Sequence, residues 1–162
     1  MMYSPYTLPP FFHFIFATLE PLSTLSGFLY PYLSPERFLN EQVPTIPLIQ
    51  HTGISDNVRG SVLQLANCYL LLCMCSLAVL RTTSEKTVVR NFLIALLLGD
   101  IGHLYFTWSA LGTELFFDPT RWNALTGGNV GATLFLLLTR TLYLIGWGFT
   151  PQSPINSAKK KA

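Results

Sequence analysis

The stretch Phe92–Leu111, FLIALLLGDIGHLYFTWSAL, holds a carboxylate and a histidine inside a segment otherwise fit only for lipid or a protein core. Asp100 and His103 are three residues apart, so a helix sets them on one face, continued through Leu96 and Thr107. Gly99 and Gly102 thin the neighbouring face, which predicts close approach of a second helix. The segment reads as a transmembrane helix with a buried polar centre.

Three further runs share this character: 10–33, 62–80 and 130–149, alongside 92–111. Each is near the roughly 20 residues that cross a bilayer as a helix. With 50% apolar and 11% charged residues and a mean hydropathy of +0.41, the chain of 162 residues has few charges for a soluble globular surface. An ordinary soluble helix carries one apolar stripe, whereas these runs are apolar all round. The expected fold is all-α, a four-helix transmembrane bundle with both termini on the cytosolic side. Its parts are an N-terminal segment 1–9, a membrane domain 10–150 and a disordered basic tail 151–162.

Orientation follows from basic residues. Arg81, Lys86, Arg90, Lys159, Lys160 and Lys161 fall on one side, against Arg37, Arg59 and Arg121 on the other, and the richer side is cytosolic. The final KKKA resembles a dilysine retrieval signal and predicts an endoplasmic-reticulum membrane. No basic residue precedes the first apolar run and no small-residue cleavage pattern follows it, so a cleaved signal peptide is not expected.

A net charge of +2, without a basic groove, excludes nucleic acid as the main partner. The expected partners are the bilayer and a hydrophobic small molecule. Cys68, Cys73 and Cys75 all lie in the second run and read as small buried hydrophobes. No metal-ligand spacing and no cofactor motif is present; Gly127–Gly128 looks like a phosphate loop but lacks the following Lys-Ser/Thr.

Charged groups at mid-membrane cost about 2.5–3.5 kcal/mol each on insertion scales, so Glu20, Asp100 and Arg140 require partners or a wet cavity. Arg140 continues a stripe of Asn129, Thr133, Leu136, Tyr143 and Trp147. We expect Arg140 to pair with Asp100, leaving Glu20, bent away by Pro21, as a proton donor. Pro21 also withholds a donor from the carbonyl of Ala17.

Two functions remain open. One is a cofactor-independent isomerase or cyclase acting on an isoprenoid or sterol-like lipid, with Glu20, Asp100 and His103 moving protons. Asn67 and Arg140 would then contact substrate, and Tyr105, Trp108, Tyr143 and Trp147 would shield a cationic intermediate with their ring faces. The other is a scaffold or lipid-binding protein whose buried charges are structural.

The segments FATLEPLS (Phe16–Ser23), LQLANCYLLLCMCSLAVLRT (Leu63–Thr82), LLLGDIGHLY (Leu96–Tyr105) and RWNALTGGNVG (Arg121–Gly131) resemble a fungal family of small four-span membrane proteins. That family carries a domain-of-unknown-function label. The resemblance implies a fungal source and a four-helix membrane bundle but supplies no settled activity; terpenoid biosynthesis is the context only of the isomerase or cyclase reading. In architecture alone, the chain is also similar to the EXPERA group of sterol isomerases and sterol-binding proteins.

Overall fold

A computed structural model describes residues 8–44 and 53–147. The N-terminal segment before residue 8 and the tail with its KKKA end lie outside the described residues. Those described are helical with no strand. Helix α1 (Pro10–Phe14) runs through a π turn (Ile15–Leu19) into α2 (Glu20–Leu33), and α3 (Pro35–Gln42) follows at once. The long helices α4 (Asp56–Thr82) and α5 (Lys86–Phe116) form a hairpin. A 3-10 turn (Pro119–Arg121) leads to α6 (Ala124–Thr126), a second π turn (Gly127–Ala132) and α7 (Thr133–Leu144).

Local chemistry sets these boundaries. The Ser55 hydroxyl accepts from the Val58 amide at 3.4 Å, with Asp56 in the first turn of α4 and Arg81 in the last, where each suits the helix dipole. The second apolar run therefore begins helically at Asp56, ahead of the expected 62, because a cap and not the first apolar residue starts the helix. Gly112, at φ +74°, breaks α5 just after Leu111, where the apolar run ends. Asn123 caps α6 by accepting from the Thr126 amide at 2.7 Å. The connection after Ser34 contains α3, whose Phe38 is buried and whose Arg37 and Glu41 pair at 2.8 Å one turn apart.

Two of these helices, α4 and α5, are long and apolar enough to cross a membrane. Their apolar windows are only 22% and 11% buried, where the core helix of a soluble protein is mostly buried. Leu71, Leu98, Ile101 and Phe106 point outward, an apolar exterior that supports membrane association. The first and last runs, 10–33 and 124–144, are each divided by a π turn into shorter α-helical pieces.

The interior is small. Phe12, Phe16 and Ala17 meet Leu80, Val89, Leu93 and Tyr143 in the main cluster; Leu111, Leu115 and Val130 form a second beside Trp122. Helix α2 lies close on α4 at Gly27, where an added Cβ would come within 3.2 Å of the Tyr69 ring. Close approach at Gly99 and Gly102 does not occur, for a Cβ there would meet nothing within 4 Å.

Pro21 has no N–H for the carbonyl of Ala17, and the fold supplies donors from another helix. Arg81 donates to that carbonyl through Nε at 3.1 Å and Nη2 at 2.8 Å, and to the Thr18 hydroxyl at 3.3 Å. One guanidinium thereby ties the bend in the first run to the end of α4. Replacing Arg81 by leucine should lower thermal stability in detergent by about 1 kcal/mol, with Arg81→Lys intermediate. An unchanged melting curve for Arg81→Leu would show that solvent serves that carbonyl equally well.

Candidate functional site: a buried arginine between two carboxylates

Three helical runs converge on Arg140, which is 0% exposed. Its Nη1 donates to Asp100 Oδ2 of α5 and its Nη2 to Glu20 Oε1 of α2. The guanidinium carbon also stands 5.5 Å from the centre of the Phe16 ring. The expected Arg140–Asp100 contact is present, but the expectation that Glu20 stands apart is corrected: both carboxylates share one arginine. A planar guanidinium has two outward-facing nitrogens, and each here takes its own acid.

Glu20 reaches Arg140 because of the turn before it. Phe12, Phe16 and Glu20 are four apart and all buried. In an α-helix such steps drift about 40° round the axis; the wider π turn at Ile15–Leu19 takes up that drift and keeps the three in line. The second π turn occupies Gly127–Ala132, so the double glycine serves a widened helix.

The carboxylates border a half-open cavity of about 700 Å3 between α2, α4, α5 and the run 124–136. Glu20, Asp100, His103 and Asn129 supply polar wall, while Tyr69, Leu72, Phe92, Leu96 and Leu136 supply most of the rest. Phe38 of α3 closes part of it; α3 is held there by Asn123 Nδ2 donating to the Glu41 carbonyl at 2.9 Å and by Asn129 Nδ2 donating to Gln42 Oε1 at 3.4 Å. Glu20 is 5% exposed, and its second oxygen, Oε2, has no hydrogen-bond partner among the described residues.

The structure thus brings Glu20, Asp100 and His103 to one cavity. It does not bring the proposed aromatic shield there. Tyr105 lies about 140° round α5 from Asp100 and is exposed; Trp108 and Trp147 are exposed as well. Asn67 faces outward on α4, on a different side from Tyr69. Tyr143 is buried, but its ring packs edge-on against Phe12 at 5.3 Å and Phe16 at 6.4 Å, behind the arginine and off the cavity wall. Tyr69, Ser23 and Ser26 line the cavity without having been singled out from the sequence. An isolated tyrosine or serine in an apolar run carries no pattern that would mark it.

Among the described residues no cluster of three or more His, Cys, Asp and Glu is placed to hold a metal ion. Cys68, Cys73 and Cys75 are free thiols, and Cys68 is exposed, contrary to its reading as a buried hydrophobe.

The shared arginine changes what substitutions should do. Arg140→Leu strands one buried and one half-buried carboxylate and should be the worst single change, at about 3–5 kcal/mol. Asp100→Leu or Glu20→Leu leaves a paired arginine and should cost less than Arg140→Leu. The Arg140→Leu/Asp100→Leu double variant should recover only part of the loss, and the triple leucine variant more, measured as melting in detergent. Additive losses across this set would disprove the shared pairing.

No curated protein and no solved structure matches the chain. A family model described as a domain of unknown function (DUF7704) matches residues 6–150, which include all three members of the charged centre and every wall of the cavity. The chain belongs to the DUF7704 family.

Proposed function

We propose that this is a multi-pass membrane protein whose helical runs 10–33, 56–82, 86–111 and 124–144 all cross the bilayer, and that its cavity binds a lipid-soluble small molecule against the Glu20 and Asp100 carboxylates. The π turns widen the first and last runs without ending them, so each run keeps the length a span needs. The distribution of Arg81, Lys86, Arg90, Lys159, Lys160 and Lys161 against Arg37, Arg59 and Arg121 favours the α4–α5 hairpin on the cytosolic side.

The Glu20 side chain carries this reading. A charge buried only to fasten helices would be expected to satisfy both oxygens within the protein. Glu20 satisfies one on Arg140, keeps the other buried and unpartnered among the described residues, and is itself one of the residues lining the cavity. An apolar hollow with few convergent polar groups, of a size inside the roughly 300–1,000 Å3 range of small-molecule sites, is the usual form of a ligand pocket. The purely structural role of the charges accounts for the arginine but not for the hollow.

Protein extracted from its native membrane should carry a small molecule recoverable in organic solvent and identifiable by mass spectrometry. Ala95→Phe and Ala132→Phe, both on the wall, should reduce the recovered molecule roughly tenfold or more with little change in melting. Equal recovery from the filled variants would sink the proposal.

A second reading, acid–base isomerisation of an isoprenoid or sterol-like lipid, is favoured by one juxtaposition. His103 and Asp100 stand on the same wall, one helical turn apart, with Glu20 bordering the same space. Each carboxylate retains one oxygen not used by Arg140 to accept a proton, and His103 is the neighbouring group able to deliver one. Cells lacking the protein should then accumulate one isomer of a sterol or terpenoid. Re-expressed native protein should clear it and His103→Gln should not; identical lipid profiles with and without the protein would exclude catalysis of this kind.

A further inference from the structure

Building on that ligand-binding reading, we propose that the cavity selects a lipid-soluble amine, with its protonated head at Glu20 and its tail along the apolar wall.

Among the described residues the cavity wall carries two carboxylates and no lysine or arginine. Arg140 is not part of that wall; it stands behind the acids with Nη1 given to Asp100 and Nη2 to Glu20. With both carboxylates ionised, the pair on one guanidinium carries an excess of one negative charge, and what the cavity sees of it is carboxylate. Low-dielectric walls such as Leu72, Leu96 and Leu136 lengthen the reach of that charge.

The nearby donors do not neutralise it. The Thr24 hydroxyl is turned to the backbone, onto the carbonyls of Glu20 and Pro21 at 3.1 Å each. Asn129 Nδ2 is directed to Gln42 Oε1 on α3, and Arg81 is committed to the Ala17 carbonyl and the Thr18 hydroxyl. His103, Tyr69 and Cys75 are the other titratable groups among the described residues of the wall, and none makes an ion pair with Glu20. Glu20 Oε2 is left as a buried acceptor awaiting a donor.

A ligand that completes this site must donate hydrogen bonds and bring positive charge. A protonated amine does both, through up to three N–H groups. An alcohol of the same chain donates one hydrogen bond and leaves the charge uncompensated. A fatty acid or a phosphorylated isoprenoid would set a second anion against the carboxylates, and the site has the wrong sign for it.

Full-length protein reconstituted in nanodiscs of zwitterionic lipid tests this with three photoreactive probes of the same long alkyl chain, ending in an amine, an alcohol or a carboxylic acid. Cross-linked peptides are mapped by mass spectrometry. The amine should label peptides from α2, α5 or the 124–136 run saturably, at roughly tenfold lower concentration than the alcohol, with no saturable labelling by the acid. Glu20→Gln should bring the amine to the level of the alcohol while alcohol labelling persists.

Labelling by the acid equal to or stronger than that by the amine overturns the proposal, as does an amine preference unchanged in Glu20→Gln. Saturable labelling of the cavity by all three probes alike leaves the binding cavity standing and removes its selectivity for amines. Absence of saturable labelling by any probe removes both. Should Glu20→Gln fail to give a monodisperse protein, the ranking of the three probes on native protein decides alone.

Discussion

The guanidinium of Arg140 is permanently charged and fully enclosed, so the helices around it are arranged to bring it anions. Its two acids come from distant parts of the sequence, Glu20 in the first run and Asp100 in the third, and the arginine itself lies in the last. Breaking any of these contacts exposes a charge to a low-dielectric surround, which couples three helical runs that otherwise share little interior. The core is correspondingly slight. Much apolar surface is turned outward, and in the proposed membrane setting apolar contact between helices would gain little, so that polar contacts and close packing would carry more of the specificity.

Departures from regular helix serve this centre. The first π turn ends at Leu19, directly before Glu20, and the second spans Gly127–Ala132, which contributes Gly128, Asn129 and Ala132 to the cavity wall. Pro21 adds a missing donor at the same level, and Arg81 crosses from α4 to fill the gap. In a medium without water each freed carbonyl is expensive, so such irregularities persist where another part of the protein satisfies them. The two basic residues thus divide the labour, Arg81 on backbone oxygen and Arg140 on side-chain oxygen.

Between these elements lies a cavity that is apolar along its length and acidic at one place. The asymmetry separates the site from an ordinary gap between helices. A packing defect would be lined by whatever side chains happened to be there, whereas this one has two of the chain's few carboxylates on its border and one of their oxygens without a partner. The aromatic residues that sequence spacing associated with it, Tyr105, Trp108 and Trp147, face outward, where tryptophan and tyrosine suit a membrane interface.

By itself the sequence determined that the chain is helical, that it holds helices long and apolar enough to cross a membrane, and that Glu20, Asp100 and Arg140 must be reconciled with one another. These conclusions follow from local composition and from the cost of burying charge, neither of which depends on the path of the chain. Tertiary structure alone decided the rest. A stripe on one helix specifies a face but not the direction in which that face turns, and the π turns rotate the first and last runs in a way that an ideal period of 3.6 does not register. Hence Arg140–Asp100 was legible, the second bond to Glu20 was not, and the outward rotation of Asn67, Tyr105, Trp108 and Trp147 was invisible. The partner of the Ala17 carbonyl was likewise beyond the sequence, because Arg81 is remote in the chain and meets Ala17 only where α4 packs beside the first run.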